Sequence, residues 1–107
     1  MKICLFGGTF DPPHIGHLLI AQTVCEAENF DKILFIPAYI PPHKNVATSI
    51  EHRVAMVKLA IRDNPHFECS DVDIIRQGVS YTIDSIQDIK KTSGLSSDEI
   101  YYLIGSD

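Results

Sequence analysis

Gly7-Gly8-Thr9-Phe10-Asp11-Pro12-Pro13-His14-Ile15-Gly16-His17 is the stretch on which the reading of this 107-residue chain turns. It follows a short apolar run, Lys2-Ile3-Cys4-Leu5-Phe6, and leads into a helix-like segment at 14–28. An apolar run stopped by two glycines reads as a buried strand. Glycines at the end of a strand let the backbone approach a ligand closely, and the free amides of a helix N-terminus attract an anion. The stretch is neither a P-loop, lacking Gly-Lys-Ser/Thr, nor a GxGxxG fingerprint. His14 and His17, three residues apart, share one face of the first helical turn. Imidazolium is badly placed at the positive end of a helix dipole unless an anion is present. The pair therefore reads as a phosphate site. The alternatives are two plain polar residues at a helix start, or a metal pair, for which the nearby sequence supplies no further ligand pattern.

Working outward, strand-like and helix-like patterns alternate. Residues 32–36 (KILFI) read as a second strand, followed by a proline-rich loop to Thr48. Thr48 and Glu51 fit a capping box before a helix whose face is marked by Ile50, Val54, Val57 and Ile61 and which Asn64-Pro65 ends. Residues 67–75 read as extended. Residues 83–93 read as an amphipathic helix with Thr82 as its N-cap, Lys90 and Lys91 in its last turn and Gly94 as its stop. Ile100 to Ile104 reads as a last strand. In the 14–28 helix the apolar residues Ile15, Leu18, Leu19, Ile20, Ala21 and Val24 run nearly all round, which predicts burial on most sides. Arg53, His52 and His66 read as ordinary helix-surface or loop residues. Strands apolar on both faces and separated by helices imply a doubly wound α/β fold with a covered parallel sheet. Strand 2–6 is expected inside it, between 32–36 and 100–104. Ligands bind such sheets beyond the carboxyl ends of the strands, here after Phe6, Ile36 and Ile104.

Composition narrows the function. One domain over residues 1–107 fits the length. With 45% apolar and 21% charged residues the chain is globular, and a net charge of −5 argues against a nucleic-acid partner. No apolar run approaches the ~20 residues of a membrane span, and the first residues lack the apolar core of a signal peptide. Cys4, Cys25 and Cys69 form no CxxC pair and a poor disulfide framework. These features point to the reducing cytoplasm, with no metal held by the protein.

The quoted stretch resembles the first signature of the nucleotidyltransferase superfamily, a Gly-x-Phe-Asp-Pro-x-His-x-Gly-His loop. More closely, the chain resembles the bacterial nicotinate mononucleotide adenylyltransferases. Their Pro-Pro-His-Lys loop is matched by Pro41-Pro42-His43-Lys44, their Ser-Tyr-Thr segment by Ser80-Tyr81-Thr82, and their Gly-x-Asp by Gly105-Ser106-Asp107. Pro41 and Pro42 would stiffen a loop in any protein, but four matches in order span the chain. The resemblance implies a Rossmann-like nucleotidyltransferase fold and adenylyl transfer from ATP to nicotinate mononucleotide, with magnesium on the ATP phosphates. It implies His14, His17 and Lys44 as catalytic residues. It implies nucleotide contacts from Gly7, Gly8, Thr9, Phe10, Asp11, Gly16, His43, Ser80, Tyr81, Thr82, Gly105 and Asp107. No Ser–His or Cys–His pair suits covalent catalysis, in keeping with direct attack by a phosphate.

The family's second signature, Ile-Ser-Ser/Thr-x-x-Ile/Leu-Arg, has no match in the chain. The resemblance is therefore to the N-terminal portion, with the fold expected to be cut off after its fourth strand. A non-catalytic nucleotide-binding piece is the alternative of another class. Phosphopantetheine adenylyltransferases and cytidylyltransferases share the first loop, but residues 41–44 and 80–82 speak against them. An uncovered strand at 100–104 would be a template for pairing, so a homo-oligomer, or low stability and no activity, is expected of residues 1–107 alone.

Overall fold

In the computed structural model, which describes residues 1–41 and 48–103 apart from the Ser97 side chain, the apolar run before the glycines is strand β1 (Ile3–Gly8). Then come α1 (Ile15–Glu28), β2 (Lys32–Pro37), α2 (Ile50–Ile61), β3 (Phe67–Cys69), α3 (Val72–Arg76) and α4 (Thr82–Ser93). A 3-10 turn at Ser97–Glu99 leads into β4 (Ile100–Leu103). The sheet has the order β3-β2-β1-β4 and every pairing is parallel. β1 is thus internal, with Leu5 opposite Leu34 of β2 on one side and Tyr102 of β4 on the other. The chain steps outward from β1 to β3 and then crosses back to β4, so a switch point lies between the carboxyl ends of β1 and β4.

The period of two along β1 feeds two cores. Cys4 and Phe6 join Ala21 and Cys25 of α1, Phe35 of β2, and Val57 and Ile61 of α2. Ile3 and Leu5 join Ile36, Val72 of α3 and Ile89 of α4 on the opposite face. Among the described residues no helix is long and apolar enough to cross a membrane.

Four local expectations need correction. α1 buries only the stripe His17, Ala21 and Cys25, while Ile15, Leu19 and Ile20 are 73%, 59% and 47% exposed. A helix lying on one side of a sheet needs only one apolar stripe. The cap of α2 is Ser49, whose hydroxyl accepts from the His52 amide. Thr48 and Ser49 offer the same chemistry one residue apart, and the chain uses the second. Residues 72–75, expected extended, lie in the helix Val72–Arg76 because buried Asp73 accepts from Ser85 Oγ at 2.6 Å and Arg76 Nη2 at 3.0 Å; these contacts outweigh the strand propensity of Val72, Ile74 and Ile75. Finally, α4 is capped by the backbone of Tyr81 with no side-chain bond, and Thr82 is its first helical residue.

All three cysteines are unpaired. Burial pushes each thiol above its ordinary pKa, and Cys4 up to about 11. Because the folded state holds the Cys4 proton more tightly than the unfolded state, this site's stabilisation is complete below about pH 9 and is lost as pH rises toward 11. The urea midpoint is expected to fall across that window, and less steeply in Cys4→Ala; parallel pH titrations of the two proteins check this.

β4 pairs with β1 along one edge, and among the described residues its other edge has no strand partner. A polypeptide limited to residues 1–107 is expected to give a light-scattering mass above that of the monomer. A stable monomer at high concentration would contradict it.

Candidate active site

β1 ends at Gly8 beside Pro37 of β2, and the Ala38 amide donates to the Gly8 carbonyl at 2.9 Å. Gly7 leaves room for its neighbour strand: a Cβ there would lie 2.1 Å from the Tyr102 hydroxyl oxygen, so a larger residue would have to displace that ring. Phe10 takes a left-handed backbone, φ 52°, and drives its ring into the core against Phe6 and Phe35. Ring burial offsets the cost of that backbone, so Phe10 packs the turn from beneath. Asp11 is exposed.

The turn delivers the chain to α1 through a reciprocal cap made of two histidines. His14 is the N-cap, and its Nδ1 accepts from the Gly16 amide at 3.1 Å. His17 reaches back, its Nδ1 accepting from the His14 amide at 3.0 Å. The two rings stack with centroids 3.8 Å apart. His17 is 5% exposed, wedged edge-on against Phe6 and Phe10, while His14 is exposed. An Nδ1 that accepts carries no proton, so each ring holds its proton on Nε2. The pair thus caps the helix through its acceptor nitrogens and keeps one N–H, on Nε2, on each ring. Gly16 makes this possible, since a Cβ at that position would lie 2.9 Å from both Cε1 and Nδ1 of His14.

The Ser80-Tyr81-Thr82 segment is brought to the same end of the sheet. Ile40 and Val79 form a parallel bridge, the Ser80 amide donates to the Ile40 carbonyl at 2.8 Å, and Ser80 Oγ accepts from the Tyr39 amide at 2.9 Å. Ser80 is buried, whereas Tyr81 and Thr82 are exposed. His43, Lys44, Gly105 and Asp107 lie outside the described residues.

Arg53, read from sequence as a surface residue, is 2% exposed. Its Nη1 donates to the carbonyls of Thr9 at 3.0 Å and Ala38 at 2.7 Å, its Nη2 to Tyr39 at 3.3 Å and its Nε to Thr48 at 3.4 Å. Burial lowers its pKa, against a smaller opposing effect of the Asp11 charge. The signal was present: Arg53, Val57 and Ile61 are four apart and form the buried stripe of α2. Among the described residues no group of three or more His, Cys, Asp or Glu could hold a metal ion.

The arrangement places two stacked imidazoles at a helix N-terminus after a tight strand-to-helix turn, at a sheet switch point. The model of the cytidylyltransferase-like family matches residues 5–107. A relative from Oceanobacillus iheyensis is 48% identical over 99% of this chain, and the nicotinate-nucleotide adenylyltransferase of Bacillus subtilis is 46% identical over 99%. The chain spans about half the length of these curated relatives, 55% and 56%. Among solved structures, the nicotinic acid mononucleotide adenylyltransferase of Plasmodium falciparum complexed with NaAD superposes with a TM-score of 0.78 at 20% identity. That match covers 99% of this chain and 52% of the other, and at that identity it speaks to the fold.

Proposed function

The chain belongs to the cytidylyltransferase-like family, and from that premise we propose that it carries the phosphate-binding half of a nicotinate-nucleotide adenylyltransferase. In this reading ATP, as its magnesium complex, meets nicotinate mononucleotide at the carboxyl ends of β1, β2 and β4. An oxygen of the mononucleotide phosphate attacks the α-phosphorus of ATP in line. The new P–O bond forms as the bond to the β-phosphate oxygen breaks, giving the deamido dinucleotide and pyrophosphate. That phosphate is already a nucleophile at neutral pH, so the protein's contribution is alignment and charge stabilisation. Nε2–H of His14 and His17 donate to ATP phosphate oxygens, and Lys44 adds a point charge. The 80–82 segment, Gly105 and Asp107 lie on the mononucleotide side. Magnesium would be brought by the ATP phosphates and would supply charge neutralisation there, without a cage of protein carboxylates. Free nucleotides as substrates are the support for a cytoplasmic location in this proposal.

The observation that carries this reading is the histidine cap behind a glycine turn, in a chain 46% identical to an adenylyltransferase of that name. The test is to incubate the gene product with magnesium, ATP and nicotinate mononucleotide and to follow dinucleotide formation and pyrophosphate release. Parallel reactions contain phosphopantetheine with ATP, or CTP with a phosphorylated alcohol. Turnover only in a parallel reaction would replace the substrate assignment, and turnover in none would leave a binding module.

A further inference from the structure

We propose that Arg53 is a positioning residue that sets the distance between the turn after β1 and the loop after β2, the two sides of the nucleotide site. This rests on the reading above for its catalytic consequence, but its geometry stands without it. A buried guanidinium is costly unless its donors are satisfied. Here its partners among the described residues are four backbone carbonyls drawn from three places: Thr9 after β1, Ala38 and Tyr39 after β2, and Thr48 before α2. Nη1 alone bridges the first two of these, at 3.0 and 2.7 Å. A lysine cannot serve all four, because an ammonium carries its donors on one nitrogen, whereas the guanidinium spreads them over Nη1, Nη2 and Nε.

The peptides Arg53 grips are held from their other edges too. The Tyr39 amide donates to Ser80 Oγ, while its carbonyl accepts from Arg53. The Ala38 amide donates to Gly8 while its carbonyl accepts from Arg53. Through Thr9 the same side chain reaches the turn that ends at the His14 cap. Arg53 thus fixes the spacing of groups it does not itself present to substrate, and misplacement by about 1 Å is enough to slow a reaction that depends on alignment.

Arg53→Lys keeps the charge and removes the fork. In the gene product it is expected to lower kcat about tenfold with both KM values within threefold of wild type, at a temperature where both proteins are folded. Hydrogen exchange of the Ala38 and Tyr39 amides should accelerate at least tenfold, with Leu5 in mid-strand unchanged. Unaltered exchange at those amides, or a kcat within threefold of wild type, would overturn the proposal. A wild-type protein that makes no dinucleotide would instead defeat the reading of function, and the exchange measurement would still decide the clamp. Should the variant not fold, the wild-type guanidinium is read directly by NMR. Distinct, slowly exchanging Nη protons support the clamp, and a freely rotating group refutes it.

Discussion

Alanine at His14 or His17 is expected to lower kcat of the gene product by at least ~10²-fold, the size of effect seen when one donor to a developing oxyanion is removed. Each ring gives its Nδ1 to the backbone, at 3.1 Å for His14 and 3.0 Å for His17, which leaves Nε2–H as its remaining ring donor. Removing one ring therefore deletes a donor and also strips one half of a reciprocal cap. The cap is worth about 0.5–2 kcal/mol, so stability must be measured alongside rate. His14 is exposed and its alanine variant gives the cleaner figure. His17 is wedged against Phe6 and Phe10, and its loss will also loosen the turn. Steady-state kinetics on both, corrected for the folded fraction, check the claim. A fall of less than threefold for both would remove these histidines from the chemistry.

What was legible in the sequence is what depends on local pattern. Apolar runs on both faces of β1 and β2 require a sheet covered on both sides, and the parallel order with β1 inside follows from the crossover rule. The glycine turn and the two histidines could be placed at a helix start because strand, glycines and helix follow one another directly. What was not legible depends on partners distant in sequence. Arg53 shares the stripe of Val57 and Ile61 at a spacing of four, but nothing local shows what would satisfy a buried guanidinium until the carbonyls of Thr9 and Ala38, 44 and 15 residues away, are brought to it. The helix at 72–76 exists because Ser85 and Arg76 meet Asp73. The exposed residues of α1 show the converse. Ile15 and Leu19 are as apolar as the buried Ala21 and Cys25, and only the position of the sheet decides between them. The histidine spacing was read as a shared helix face, whereas His14 precedes the helix and the two rings cap it together.

Gly16→Ala is expected to separate stability from activity. Within a helix, alanine is favoured over glycine by about 1 kcal/mol, and Gly16 is the second residue of α1. The new Cβ, however, would stand 2.9 Å from the His14 ring. Something must move, and the ring is the mobile part. Swinging it away breaks its bond to the residue-16 amide and its stacking on His17. The two energies nearly offset, since a lost cap costs about as much as the propensity returns, so the melting temperature should shift by no more than a few degrees. Activity has no such compensation. If His14 Nε2–H donates to a phosphate oxygen as proposed, moving it by an ångström or more breaks that bond, and kcat should fall more than ~30-fold. KM for nicotinate mononucleotide, whose contacts are assigned to residues 80–82 and beyond, should change little. Calorimetry and steady-state kinetics on the one variant measure both sides. Full activity would mean that the His14 ring can serve the reaction from another position, and that the spacing of the two histidines around Gly16 is a matter of helix capping alone.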